Sequence, residues 1–214
     1  MTYRDRAGHR AMQWAIGWVG LALALLLHAW PAAAQDFAST RPRTVLVMGD
    51  SLSAAYGMPA SQGWVSLLGE RMQRTHPQWR VVNASVSGET TAGGEARIVD
   101  ALVRHRPSVV VIELGANDAL RGLPLRDARR NLARMIGAAQ GIGAKVLLVG
   151  MRMPPNYGSE YTAEFERSYR DLSKRFGTAL LPFLLAPIAS SRDNFQGDNV
   201  HPVPAEQPST YGPR

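Results

Sequence analysis

Between residues 44 and 184 the sequence alternates five short apolar runs with stretches of helical period, and this alternation limits the chain to a few folds. The runs fall at 45–48, 80–86, 108–114, 145–150 and 179–184. In the first intervening stretch Trp64, Val65, Leu67, Leu68 and Met72 recur at helical spacing and stop near His76-Pro77. A second helix is expected over 94–104, with Ile98 and Leu102 on one face and Pro107 as its stop. Leu125, Ala128, Leu132, Met135, Ile136 and Ala139 mark a third, ended by Gly141 and Gly143, and a fourth covers 159–176 with Phe165, Tyr169 and Leu172 inward. Strands joined through a helix pair in parallel by right-handed crossovers. The expected fold is therefore an α/β protein, a doubly wound three-layer α/β/α sandwich of flavodoxin-like type with a five-stranded parallel sheet. The 214 residues, 45% of them apolar, suffice for one such core, placed at 44–203.

In a parallel sheet the C-terminal strand ends share one rim, and chemistry collects there. The residues just past the strands are Ser51, Gly88, the run Gly115-Ala116-Asn117-Asp118 and residues 151–158, with Asp198-Asn199-Val200-His201 in the loop after the last strand. Each has an ordinary structural explanation: Asp50-Ser51 and Asn117-Asp118 can cap helices, and Gly88 can serve a turn. His76 and His105 sit at helix ends, where a cationic side chain is favourable. His201 differs, because Asp198 three residues earlier can orient its second ring nitrogen. Together a hydroxyl, an imidazole, a carboxylate and uncharged amide donors on one rim match the needs of acyl transfer.

These motifs also carry a resemblance. Gly49-Asp50-Ser51-Leu52-Ser53, Gly88, Gly115-Ala116-Asn117-Asp118 and Asp198-Asn199-Val200-His201-Pro202 follow the order and approximate spacing of the four blocks of SGNH (GDSL-type) hydrolases. Tyr56-Gly57, the run from Asn83 to Gly88, Glu113-Leu114 and Pro155-Asn156-Tyr157-Gly158 look like the versions found in the bacterial periplasmic thioesterase I, lysophospholipase and arylesterase group. The resemblance implies a serine esterase acting on acyl esters or thioesters through an acyl-enzyme. It makes Ser51 the nucleophile, His201 the base, Asp198 its orienting carboxylate, and Ser51, Gly88 and Asn117 the oxyanion hole. The loop 151–158, with Pro154, Pro155, Asn156 and Tyr157, is expected to help line the acyl groove. The order Ser, Asp, His is also that of α/β-hydrolases, but Ser53 stands where their nucleophile elbow has its second glycine. A carbohydrate O-acetyl esterase and a non-catalytic binding module remain as alternatives, the second because fold alone does not carry function.

The rest of the chain narrows the setting. Arg4, Arg6 and Arg10 precede an apolar core at 15–27, and Ala32-Ala33-Ala34 follows, the order of a cleaved secretory signal over 1–34. The core is short for a membrane span. The product is expected to be periplasmic or secreted, monomeric and without a stable membrane anchor, with a short leader at 35–43. The formal charge of +7 falls to +5 without that segment, and its arginines are scattered without aromatic interleaving, which excludes a nucleic-acid groove. Zero cysteines exclude disulfides and thiolate metal sites, and no cofactor or metal is implied. In the family a final amphipathic helix follows the histidine block. Here thirteen residues follow His201, including Pro202, Pro204, Pro208 and Pro213, and an irregular tail at 204–214 is expected in its place, leaving an apolar strip of sheet uncovered.

Overall fold

A computed structural model of the protein describes residues 42–210. The expected signal segment 1–34, the leader as far as residue 41 and residues 211–214 lie outside the described residues. The strands are β1 (Arg43–Gly49), β2 (Trp79–Asn83), β3 (Val109–Glu113), β4 (Lys145–Val149) and β5 (Ala179–Leu181). They form one sheet in the order β2-β1-β3-β4-β5, and every pairing is parallel. The helices are α1 (Trp64–Thr75), α2 (Thr91–His105), α3 (Ala116–Leu120), α4 (Leu125–Gly141), α5 (Ser159–Phe176) and α6 (Gln207–Thr210).

Successive strand side chains point to opposite faces, so β1, buried on both, divides the core in two. Leu46 and Met48 join Val110, Ile112 and Leu148 beneath α2, α4 and α5, which contribute Ile98, Leu102, Met135, Ile136, Phe165 and Tyr169. Val45 and Val47 join Val111 and Val149 on the other face, under Trp64 and Val65 of α1 and under Leu184, Leu185 and Ile188 from the segment after β5. The chain leaves β1 toward β2 on one side and continues from β3 toward β5 on the other. The sheet therefore changes direction between β1 and β3, where a crevice opens at the carboxyl ends of the strands.

Several boundaries differ from the sequence expectation for local chemical reasons. β2 ends as a regular strand at Asn83, whose side chain accepts from Ser85 N at 3.1 Å and donates to the Ser53 carbonyl at 2.8 Å, although Ala84 N and Val86 N still donate to the Val47 and Gly49 carbonyls of β1. β5 ends before Pro182, which has no N–H to offer. Helix α2 starts at Thr91, earlier than expected, because Thr90 caps it by accepting from Gly93 N.

The tail corrects the sequence reading most. Residues expected to be irregular form a 3₁₀ turn at Pro204–Glu206 and then α6. Pro204 opens the first and Pro208 lies in the opening turn of the second, where a missing N–H costs nothing. Gln207 is buried, and its Oε1 accepts from Trp64 N at 3.0 Å, supplying a partner for the first turn of α1. Nor is a strip of β1 laid open: Val45, Val47, Val111 and Val149 are all buried, because residues 184–188 cover that face beside α1. Gln207→Ala leaves a buried donor unpaired, a loss of about 1–3 kcal/mol. A thermal melt of purified protein should show a Tm lowered by several degrees, and an unchanged Tm would refute this role.

Candidate active site

The crevice between the ends of β1 and β3 holds the candidate residues. Ser51 lies two residues beyond β1, in a turn closed by Ala54 N donating to the Asp50 carbonyl. His201 Nε2 is 2.7 Å from Ser51 Oγ, and His201 Nδ1 is 2.7 Å from Asp198 Oδ2. Because a carboxylate only accepts, Nδ1 carries the proton and Nε2 is free to accept from the serine hydroxyl. The spacing of three residues works through a tight turn: Asn199 has φ 59°, and Asp198 Oδ1 accepts from Val200 N and His201 N at 2.9 and 3.0 Å. Burial pushes the Asp198 carboxyl up, but those two N–H groups and the imidazole outweigh it and hold the group below the usual carboxylate range. Tyr56 packs its ring on the imidazole, with centroids 4.4 Å apart.

Asn117 reaches the crevice from the first turn of α3. Gly115, immediately before the helix, has φ +121°, and a Cβ there would lie 2.5 Å from Tyr169 Oη, so both backbone and space demand glycine. Three tyrosines hold this segment by donating to its carbonyls: Tyr169 to Leu114 at 3.0 Å, Tyr161 to Ala119 at 3.2 Å and Tyr157 to Leu120 at 3.5 Å. Asn117 and Asp118, adjacent in the chain, turn to different surroundings. Asp118 is buried and binds Thr91 N and Thr91 Oγ1 at the start of α2, while Asn117 faces the crevice. Gly88 has φ +78° and its carbonyl accepts from Arg121 at 2.8 Å; it is not among the residues lining the cavity. Among the described residues, the backbone N–H groups of Ser51 and Gly88 have no protein acceptor.

Beside Ser51 a cavity of about 450 Å³ opens, with Leu120, Met151, Met153, Pro154, Phe183 and Leu185 in its wall. From the loop 151–158, residues 151–154 join the wall; Asn156 and Tyr157 do not line it, and the side chain of Pro155 lies outside the described residues. The 3₁₀ turn Pro155–Tyr157 instead carries the Tyr157 hydroxyl that holds the Leu120 carbonyl. Arg152 lies over the Phe183 ring at 5.3 Å and pairs with Glu166 at 3.8 Å.

Behind the serine lie two carboxyl groups to which the sequence motifs gave no role in the site. Asp50 and Glu113 are 1% and 2% exposed. Glu113 Oε2 accepts from Ser53 Oγ at 2.7 Å and from Asp50 N at 3.3 Å. Asp50 accepts from Leu52 N at 3.0 Å and from Asn117 Nδ2 at 3.1 Å. Burial pushes Asp50 up to about 6, against the pull of Leu52 N, His201 and Asn117, and pushes Glu113 well above the carboxylate range, with repulsion from Asp50 adding to it. A charge ending the apolar run of β3 was the available signal, since an acidic residue there is buried with its strand.

A carboxyl raised by folding binds its proton more tightly in the native state, so its contribution to stability falls as pH rises above the unfolded value near 4.3. Glu113→Gln keeps an acceptor oxygen and removes this dependence. The Tm of the variant minus that of the wild type should become more positive between about pH 5 and pH 7, by up to about 1.4 kcal/mol per pH unit in free energy. Parallel Tm curves would show that Glu113 does not titrate this way.

Comparison with known proteins identifies the family. The sequence matches the GDSL-like Lipase/Acylhydrolase family over residues 47–205. It is 47% identical to Esterase TesA of Pseudomonas aeruginosa over 186 residues, 87% of this chain and 89% of that protein. It is 38% identical to Thioesterase 1/protease 1/lysophospholipase L1 of Escherichia coli K12, covering 87% of this chain and 85% of that one. The crystal structure of the esterase EstA from Pseudoalteromonas sp., inhibited by monoethylphosphonate, superposes with a TM-score of 0.75 at 38% identity, covering 78% of this chain and 92% of EstA. From its motifs, its parallel sheet and these relatives, the chain belongs to the GDSL-like lipase/acylhydrolase family, and it is an ester-bond hydrolase.

Proposed function

We propose that this chain is a serine esterase in which Ser51 is the nucleophile, His201 the general base and Asp198 the carboxylate that orients it. The observation that carries the reading is the continuous chain of hydrogen bonds from Ser51 Oγ through both nitrogens of His201 to Asp198. In this scheme Ser51 Oγ attacks the acyl carbonyl carbon and passes its proton to His201 Nε2. The tetrahedral oxyanion is met by the N–H groups of Ser51 and Gly88 and by the Asn117 amide. The C–O or C–S bond to the leaving group then breaks, and His201 returns the proton to that group. Water, deprotonated by His201, hydrolyses the acyl-enzyme and restores the serine.

The substrate is an ester or thioester with an apolar acyl chain. The names of the relatives, an esterase and a thioesterase/lysophospholipase, support that class, as does a wall built from leucine, methionine and phenylalanine. The N-terminal sequence supports export by a cleaved signal to the periplasm or medium.

Mass spectrometry after fluorophosphonate treatment should locate the label on Ser51. Ser51→Ala should lose both labelling and ester hydrolysis; full activity of the folded variant would refute the assignment. Asn117→Ala should lower kcat by about 10²–10³-fold, the usual loss for one oxyanion donor. Across p-nitrophenyl esters from acetate to palmitate, kcat/KM should rise beyond acetate and exceed that for acetylated sugars. A preference for acetylated sugars would favour the carbohydrate esterase instead.

A further inference from the structure

We propose that Asp50 is a positioning residue that sets which way the Asn117 amide faces, and so determines whether the oxyanion hole holds a donor or an acceptor. The proposal rests on the reading of Asn117 as an oxyanion donor. The nitrogen and oxygen of a carboxamide are nearly equal in size and geometry, so packing around Asn117 discriminates poorly between the amide and its flipped form. An ionised carboxylate does discriminate, because it accepts only. Asp50 Oδ2 stands 3.1 Å from Asn117 Nδ2 and draws one of its two hydrogens, leaving the other for the cavity that Asn117 lines. In the flipped form the carbonyl oxygen of Asn117 would face that carboxylate, and in any arrangement that relieved the clash it would be free to face the developing oxyanion.

Asp50 is built to do this. Its other oxygen accepts from Leu52 N at 3.0 Å, and its own N–H donates to Glu113 Oε2 at 3.3 Å, so the carboxylate is fixed from both sides. Glu113 is in turn held by Ser53 Oγ at 2.7 Å. The group is 1% exposed, so water does not compete for Oδ2. Its proton affinity supports the assignment, since a carboxyl pushed up to about 6 is still largely ionised at neutral pH. Residue 50 thereby relays a constraint from the end of β3 to the first turn of α3, and no contact between Asp50 and substrate is required.

Asp50→Asn is the discriminating change because it is nearly isosteric. Asparagine has one acceptor oxygen for two donors. If that oxygen keeps Leu52 N, the new NH₂ group faces Asn117 and favours the flipped amide, with its oxygen toward the substrate. The experiment is a double-mutant cycle of Asp50→Asn and Asn117→Ala on a p-nitrophenyl ester near neutral pH, with each variant's Tm measured to establish folding. Asp50→Asn should lower kcat by about 10²–10³-fold, with KM within about twofold, matching the loss of an oxyanion donor. The double variant should lie within about threefold of Asn117→Ala alone. Multiplicative losses, or an Asp50→Asn enzyme with wild-type kcat, would overturn the proposal while leaving the oxyanion reading intact. An Asn117→Ala enzyme with wild-type kcat would overturn both. Should Asp50→Asn not fold, hydrogen exchange of the Asn117 side-chain amide in the wild-type enzyme gives the second measurement. One slow and one fast proton support the proposal, and two equally fast protons overturn it.

Discussion

The pairing of β1 with β3 is the contact on which the site depends. Hydrogen bonds from Val45–Val109 to Gly49–Glu113 bring two strands far apart in sequence into register, and the sheet changes direction between them. Register matters here because a slip of one residue would turn every β1 side chain to the opposite face. With Gly49 opposite Glu113, the turn that carries Ser51 and the helix that carries Asn117 begin side by side. The apolar interactions holding that register are Leu46, Met48, Val110 and Ile112 on one face and Val47 and Val111 on the other, all deeply buried. Burial of this kind contributes about 1.5–3 kcal/mol per large side chain.

Polar groups then convert register into geometry. Glu113, at the last position of β3, accepts from Ser53 and Asp50 of the turn after β1. Asp118 ties α3 to the start of α2, and Asn131 of α4 donates to the same Thr91 hydroxyl. Three tyrosine hydroxyls hold the carbonyls of residues 114–120. A network of this kind is favourable when each buried group is paired and costly when one is not. Two buried carboxyl groups beside Ser51 are tolerated because each accepts two hydrogen bonds and neither is left as a bare charge.

The far loop, with Asp198 and His201, is held more lightly. It contains no regular strand, and its local order comes from an isolated bridge between Phe195 and Pro202, from Gln196 donating to the carbonyls of Tyr56 and Pro202, and from the Asn199 turn. Gln196 links it to the segment after Ser51, which also places the Tyr56 ring against the imidazole. His201 is thus tied to the turn that carries Ser51, which keeps the two side chains in reach of each other.

The alternation of apolar periods was enough, from sequence, to place five parallel strands and the main helices, because periods of 2 and 3.6 residues report directly on which faces are buried. It was also enough to bring Ser51, Asn117, Asp198 and His201 to one rim, since in a parallel sheet all the strand ends point one way. Where a residue has no N–H for the ladder, as at Pro182, or where a cap lies upstream, as at Thr90, the boundaries shifted by a few residues. Tertiary structure alone decided the rest. The partners of Asp50 and Glu113 lie about sixty residues away, so no local pattern announces them. Within the loop 151–158 the fold brought residues 151–154 to the cavity, while the Tyr157 hydroxyl holds the Leu120 carbonyl. The proline-rich tail closed on Trp64 through Gln207, a contact 143 residues long in sequence whose burial no reading of proline content could supply. Periodicity is local and legible in one dimension; the pairing of buried polar groups depends on which distant segments the fold brings together.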